Sequence, residues 1–320
     1  MKQLLFTLAL LCASLGAFAG GPSSHGDSVL PHRMLLVASE GLYVVERDGS
    51  CSWSYLPQAA AGQSWLYHLI YDGAMFDNGN VLYGTSAYVR EIDRSGNTLW
   101  EYAVTLPHEV KSFVVRPDDG RVAVLNSGEQ AILELERGTG RVLRRIPLPA
   151  EGNEHTRYNY LRLTTAGSYL AALRAEQRFV EVDRDGKPVA SFSVPGLPAM
   201  AKRLKDGSTY CTGRFGVKRF DPQGKEVWSL TPHDVEDSFP LLLPGGVVPL
   251  EDGRLLLVNS DWHYKKRGEN RVPLFIVGED KRVEWTLDVS TFEPWKRSET
   301  DPRSRLKEHR CMVVQVLPEK

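Results

Sequence analysis

The stretch Glu91-Ile-Asp-Arg-Ser-Gly-Asn-Thr-Leu-Trp100 decides how the whole 320-residue chain is interpreted. Its pattern predicts a strand, a tight turn at Asp93–Gly96 and a second strand. An aspartate at the first turn position can accept a hydrogen bond from the backbone two residues on. Glycine supplies the left-handed backbone geometry that closes a short hairpin. The stretch is therefore predicted to be a β-hairpin.

The same unit recurs along the chain about every 40–45 residues, a spacing typical of propeller blades that carry four strands each. Related turns occur at Glu46-Arg-Asp-Gly49, Glu136-Arg-Gly-Thr-Gly140, Asp183-Arg-Asp-Gly186 and Asp221-Pro-Gln-Gly224, with a degenerate copy at Gly278. An apolar segment precedes each turn, and most of these segments follow a turn dipeptide such as Asn78-Gly79. Such near-continuous apolar runs predict strands that are covered on both faces. No segment after residue 19 favours a helix.

The ends of the chain predict how the repeats close into a ring. The first copy, Arg33 to Tyr55, lacks an opening strand, whereas the apolar segment Arg310–Leu317 has no strands after it. Placing that last segment innermost in the first blade completes the blade and removes exposed sheet edges. We therefore predict an all-β fold: a six-bladed β-propeller of four-stranded antiparallel blades, which occupies residues 33–320 as a single domain.

The N-terminus has the features of a secretory signal peptide. Lys2 precedes the apolar run Leu4–Leu15, and Ala17-Phe18-Ala19 is a small-x-small cleavage site. We expect residues 1–19 to be removed near Ala19, residues 20–32 to form a tail, and the mature protein to be periplasmic or secreted. No other apolar run is long enough to span a bilayer, so no membrane span is expected.

Charge and cysteine content narrow the function classes. The formal net charge is −1, which argues against nucleic acid as a partner. Cleavage would leave Cys51, Cys211 and Cys311, an odd number whose positions suggest no disulfide framework. Buried structural thiols are the favoured interpretation. We expect a monomer.

At the level of its repeat, the chain resembles two families of bacterial β-propellers. The pattern of apolar strand, Asp-Gly, apolar strand and Glu-Ile-Asp-x-x-Gly-x-x-x-Trp is similar to the repeats of PQQ-binding-like propellers and of arylsulfotransferases. The resemblance covers nearly the whole mature chain as a repeat pattern. A shared fold does not by itself assign a function. The sequence leaves the cofactor unknown.

Polar residues are predicted to converge on one face of the ring, where innermost strands begin and second strands end. We call this face the mouth; one loop from every blade reaches it, which makes it the expected ligand site. Histidines at or near the starts of innermost strands are His68, His108, His155, His233 and His309. The ends of second strands add Asn126, Arg174, Arg214, Asn259, Asp261 and His263.

Two interpretations of this polar face remain open. In the functional one, the imidazoles act as acid/base groups or anion contacts, while the arginines hold a carboxylate, sulfate or phosphate. In the other, loops at the ends of blades are simply solvated. The loop Asp261–Arg271 has the same ambiguity: Trp262 could stack on a sugar or aromatic ligand, or the loop is a solvated insertion. No metal site is predicted, because the His and Cys spacings of known sites are missing.

Two segments share the pattern Pro-His-acid-Val: Pro107-His-Glu-Val110 and Pro232-His-Asp-Val235. Arylsulfotransferases are similar in having a His-Asp pair before a blade strand, and there a histidine accepts the sulfate group. That resemblance implies His233 as a catalytic nucleophile, with His108 second. A hydrogen-bonded loop is the alternative explanation of the pattern.

Two functions follow from these observations. The preferred one is an exported, non-catalytic propeller that binds a small ligand, a glycan or a protein at its His/Arg-bearing mouth. The alternative is an enzyme of the group-transfer (arylsulfotransferase-like), hydrolase or lyase type that uses His233 or His108.

Overall fold

A computed structural model describes residues 30–57, 69–105, 107–260, 272–288 and 311–318, and these residues form a ring of six four-stranded antiparallel sheets. The predicted six-bladed β-propeller is confirmed. In the following lists each blade runs from its innermost to its outermost strand.

Blades 1 to 3 consist of β24 (Cys311–Val316), β1 (Met34–Ala38), β2 (Gly41–Val45) and β3 (Cys51–Tyr55); β4 (Asp72–Met75), β5 (Val81–Gly84), β6 (Tyr88–Ile92) and β7 (Thr98–Ala103); and β8 (Val110–Val115), β9 (Val122–Asn126), β10 (Ala131–Leu135) and β11 (Val142–Pro147). Blades 4 to 6 consist of β12 (Tyr158–Leu163), β13 (Tyr169–Leu173), β14 (Arg178–Val182) and β15 (Pro188–Ser193); β16 (Pro198–Arg203), β17 (Thr209–Gly213), β18 (Gly216–Phe220) and β19 (Glu226–Leu230); and β20 (Leu243–Pro249), β21 (Leu255–Ser260), β22 (Leu274–Val277) and β23 (Val283–Leu287).

The ring closes as the sequence predicts. Strand β24 pairs antiparallel with β1, in a register that places Met34 opposite Val316 and Leu36 opposite Val314. One residue beyond the strand, the Leu317 amide donates to the Arg33 carbonyl at 2.8 Å. The last strand of the chain is therefore the innermost strand of the first blade.

The repeated turns have the predicted hydrogen bonds. Asp93 Oδ1 accepts from the amides of Ser95 at 2.8 Å and Asn97 at 2.9 Å. Gly96 has a φ of +85°, in the region that glycine adopts without a steric cost. Asp183 and Asp221 accept equivalent pairs of amide hydrogen bonds. We call this turn, between the third and fourth strands of a blade, the outer turn.

One short helix departs from the expectation of a chain without helices. Helix α1 (Pro232–Val235) lies between blades 5 and 6, where Val235 is buried. The backbone amide of Thr231 donates to Asp234 Oδ2 at 2.7 Å, and Pro232 supplies a fixed φ at the helix start. Four residues are too few for an apolar period to show in the sequence. No helix in the described ranges is long and apolar enough to cross a bilayer.

The three cysteines in the described residues are free, and no two of them are bridged. Cys211 and Cys311 are buried, and burial raises the pKa of both thiols. These two behave as small core residues, as the sequence favours, whereas Cys51 is exposed and the expectation of burial is wrong for it.

Buried carboxylates join consecutive blades through arginines of the next blade. Three such pairs are Glu91–Arg137, Glu134–Arg184 and Glu181–Arg203. In the first, Arg137 donates from Nε to Glu91 Oε2 at 2.7 Å and from Nη2 to Oε1 at 2.6 Å. Blade 2 itself supplies Glu91 only with uncharged donors, from Asn80 and Trp100. The charge of Glu91 is therefore compensated by the neighbouring blade.

Removing residues 311–320 should abolish the single cooperative thermal transition. The deletion removes the innermost strand of blade 1 and leaves the apolar edge of β1 unpaired. Circular dichroism melting of the purified proteins provides the measurement. A deletion of residues 318–320 retains β24 and is the matched control. If the longer deletion melts as sharply and at the same temperature as the control, β24 does not close the ring.

Arg137→Met should lower the free energy of unfolding by about 2 kcal/mol, because it leaves the buried Glu91 carboxylate without its cation. Glu91→Gln combined with Arg137→Met should cost less than the sum of the single changes.

Hydrogen bonds and the charge of Arg137 outweigh burial and lower the pKa of Glu91 below its usual 4.5. The coupling is thus full above pH 4.5 and is lost as the pH falls through the lower folded-state pKa. Urea unfolding at several pH values measures it; additive costs at neutral pH would contradict the pairing.

Candidate functional site

The innermost strands share an irregularity at the mouth. In blades 3, 4, 5 and 6 the register between the first and second strands shifts near the start of the innermost strand, and in blade 1 it shifts between β24 and β1. An extra residue in a strand bends it and turns side chains to new directions, and such bulges occur next to functional sites. The bulges therefore reshape the wall of the central opening.

A cavity of about 60 Å³ lies at this level, and we call it the axial cavity. Each of the six blades contributes to its wall from the start of its innermost strand or the residue before it. These residues are Tyr71, Lys111, Asn159, Ala199, Gly245 and Met312. Because the wall comes from every blade, the cavity lies on the axis of the ring. His155 and Arg174 also line it.

Lys111, Glu109 and His155 form a charged cluster at the cavity wall. Lys111 Nζ donates to Glu109 Oε2 at 2.5 Å and to the His155 carbonyl at 3.0 Å, and the lysine side chain is only 8% exposed. His155 Nδ1 lies 3.2 Å from Glu109 Oε1. Burial lowers the pKa of Lys111, although Glu109 opposes this effect. Burial would raise the pKa of Glu109, but His155 and Lys111 outweigh it and lower that pKa to about 2.

Arg174 adds a second cation to the cavity. Burial and the nearby positive charge of Arg214 lower the pKa of Arg174, whereas Glu109 acts in the opposite direction. Within the described part of the chain, no carboxylate forms an ion pair or hydrogen bond with the Arg174 guanidinium. Lys111 and Arg174 thus bring two positive charges to a wall where Glu109 is the carboxylate that acts on both.

His108 lies close to this cluster but on a more exposed loop. Its Nδ1 is 3.3 Å from Glu154 Oε2, and its side chain is 51% exposed. His155 and Glu109 make the reciprocal contact, so two His–Glu pairs join the loops that open blades 3 and 4. The structure therefore brings His108 and His155 into the same part of the mouth.

His233 has a different environment. Its side chain is 87% exposed, and its Nδ1 pairs with Glu236 Oε2 at 3.1 Å on the same short segment. The neighbouring Asp234 pairs at 3.1 Å with Lys281 in the outer turn of blade 6. His233 is not among the residues that line the axial cavity. The two Pro-His-acid-Val segments thus have different surroundings.

The two predicted asparagines form hydrogen bonds to neighbouring segments of the protein. Asn126 donates to the hydroxyl of Tyr102 at 3.1 Å and accepts from the Glu129 amide at 3.0 Å. Asn259 accepts from the Leu242 amide at 2.8 Å and donates to two backbone carbonyls. Both side chains are buried. Their hydrogen bonds hold the mouth loops in place, and their assignment as ligand contacts stays a prediction.

Five predicted site residues lie outside the described residues, and their roles stay predictions: His68, Asp261, Trp262, His263 and His309. Among the residues that are described, no group of three or more His, Cys, Asp or Glu side chains could hold a metal ion.

Lys111 is the main site residue that the sequence interpretation missed. The sequence does contain a signal for it. The apolar innermost strand Val110–Val115 directly follows His108-Glu109, and a lysine is its second residue. Charged side chains on buried strands require a partner or a cavity. Tyr71 and Asn159 have no comparable signal, because their position at the cavity depends on the bulges.

The fold is shared with solved structures of low sequence identity. A protein of unknown function from Bacteroides caccae has a TM-score of 0.73 at 20% identity, over 91% of this chain and 100% of that one. A catalytically inactive variant of virginiamycin B lyase from Staphylococcus aureus, solved with quinupristin, has a TM-score of 0.55 at 12% identity, over 78% of each chain.

A streptogramin B lyase structure also has a TM-score of 0.55, at 10% identity, over 81% of this chain and 84% of that one. No protein-family model matches the chain, and no curated protein matches it. At such identities the similarity establishes the β-propeller fold alone, because one fold serves many functions.

Proposed function

We propose that this protein is an exported β-propeller that binds a small anionic ligand, without catalysis, in the axial cavity at its mouth. The observation that carries the proposal is Arg174, a cavity-lining guanidinium to which no carboxylate of the described chain is bound. Guanidinium groups bind carboxylate, sulfate and phosphate with paired hydrogen bonds.

The electrostatics of the wall support an anion. Lys111 is already bound to Glu109, so the positive charge of Arg174 is the surplus in this part of the cavity. The positive charges of Lys111 and Arg174 repel each other, and Arg214 adds to the repulsion at Arg174. A bound anion relieves it and restores the balance of charge in a site with restricted water access.

The size and lining of the cavity indicate how the ligand is held. About 60 Å³ accommodates an anionic head group, whereas drug-sized ligands occupy pockets of roughly 300–1,000 Å³. Tyr71, Tyr160 and Met312 give the wall apolar surface. We infer that the anionic group enters the cavity and that the rest of the ligand lies in the mouth. The charge favours a small anion over a neutral glycan or a protein surface.

Export is the part of the proposal that rests on residues 1–19. The positively charged start, the apolar run and the Ala17-Phe18-Ala19 site have the order of a cleavable secretory signal. N-terminal sequencing of the protein from a periplasmic or culture fraction tests this part separately from ligand binding.

Arg174→Gln should weaken anion binding about tenfold, because a hydrogen bond to a charged group is removed. Calorimetric titration with benzoate, citrate, sulfate and phosphate as probe anions identifies the strongest binder for the wild-type protein and then measures it on the variant. Arg282→Gln makes the same change of net charge at an exposed outer turn and is the control. Equal losses in both variants, or no saturable binding of any probe, would overturn the proposed anion site.

The enzymatic alternative has one specific observation in its favour. Glu109 engages His155 through Nδ1, an arrangement that leaves Nε2 as the ring nitrogen for a ligand. A carboxylate that orients an imidazole in this way is a feature of histidines that act as general bases. The sequence interpretation placed catalysis at His233 or His108, and of these His108 is the one beside the cavity cluster.

Single His→Ala changes at His108, His155, His233 and His309 distinguish the two functions. With 4-nitrophenyl sulfate plus phenol, and with 4-nitrophenyl acetate, we expect none of the four changes to alter turnover. The binding proposal predicts that loss of affinity for the probe anion is greatest at His155, because this residue lines the cavity. A fall in turnover of several orders of magnitude at one histidine would instead establish catalysis there.

A further inference from the structure

The axis of the ring carries a second charged region, at a different level from the axial cavity. Arg162 of blade 4 donates to Asp72 of blade 2 through Nη1 to Oδ2 at 2.8 Å and Nη2 to Oδ1 at 3.2 Å. It also donates to Ser112 Oγ of blade 3 at 3.1 Å. An ion pair that spans three blades must lie close to the axis.

The register of the blades defines this level. In each blade, one residue of the innermost strand pairs with the second residue of the neighbouring strand, and these six residues lie at the same height along the axis. They are Ala74, Val114, Arg162, Lys202, Val248 and Gln315. Along each innermost strand these six residues come after the residues that line the axial cavity. Tyr160 lies between the two, and its hydroxyl contacts the Met312 carbonyl of blade 1 at 3.5 Å.

Charge at this level is not balanced. Asp72 neutralises Arg162 through the paired hydrogen bonds, and Asp72 is buried. Lys202 is the second cation, and within the described ranges its ammonium has no hydrogen bond or ion pair. One positive charge therefore remains.

The surroundings of Lys202 indicate a recess rather than an open surface. Its side chain is exposed to solvent. Even so, burial lowers the pKa of Lys202, and the positive charge of Arg162 lowers it further. A side chain that solvent reaches while protein atoms surround it lies in a concave site, where an anion would lose less of its attraction to solvent screening.

We propose that Lys202 and Arg162 form a second anion site, the lower axial site, which takes a small aliphatic monocarboxylate. One surplus charge matches one carboxylate, whereas a dianion such as sulfate would remain half uncompensated. Ala74 and Val248 stand at the same register level and are only partly buried, so they offer apolar surface to a short alkyl chain. The remaining donors of Arg162 can share the carboxylate with Lys202 while Asp72 keeps its pair.

The test follows the Lys202 side chain by NMR in protein labelled with ¹³C-lysine. The Lys202 signal is assigned by its loss in Lys202→Arg, and its pKa is measured with increasing butyrate at constant ionic strength. Binding favours the charged amine, so saturating butyrate should raise the pKa of Lys202 by about 1. Sodium chloride at the same ionic strength should not do so. Exposed Lys187 and Lys225 should show no saturable change.

Two variants separate this site from the axial cavity. Arg174→Gln should leave the butyrate effect on Lys202 intact, and Lys202→Met should leave binding of the probe anion at the axial cavity intact. Loss of the Lys202 effect in Arg174→Gln would overturn the lower axial site, because butyrate would then act from the cavity. The site is also refuted if chloride and butyrate act equally, if Lys187 responds as Lys202 does, or if sulfate binds more tightly than butyrate.

Discussion

A buried carboxylate on the third strand of one blade and an arginine from the following blade make the contact on which the ring depends. Glu91 and Glu134 occupy the same place in successive repeats, and the outer turns of the next blades reach them with Arg137 and Arg184. Neither half of such a contact is stable alone in an apolar interface. The contact therefore sets the spacing between blades as well as their attachment.

The inter-blade spacing explains why the mouth can hold charge. Loops that open blades 3 and 4 approach each other closely enough for His155 to bind Glu109 and for His108 to pair with Glu154. The bulges at the starts of the innermost strands then direct Lys111 to the same wall. The charged residues at the mouth lie on loops or at the starts of strands, and the whole ring determines the positions of those strands.

The repeat architecture could be predicted from the sequence because its signals are local. Asp93 specifies its turn through side-chain hydrogen bonds and Gly96 through its positive φ, and equivalent residues recur in other blades. The grouping of His155 with Arg174 at one face followed from strand direction alone. The pairing of Lys111 with Glu109, and the position of His233 outside the lining of the cavity, could not be predicted in this way. They depend on bulges and on a four-residue helix, neither of which leaves a periodic pattern.

Strand β24 makes closure of the ring depend on two segments from opposite ends of the described chain. The first blade takes β1, β2 and β3 from the start of the described chain, yet its innermost strand follows all the other described strands in the sequence. A nascent chain therefore carries an unpaired β1 edge through almost the whole of its synthesis, when pairing with another chain is a hazard. Joining the two ends brings together segments that are far apart in sequence, which is slow. Once β24 pairs with β1, that edge is no longer available to another chain.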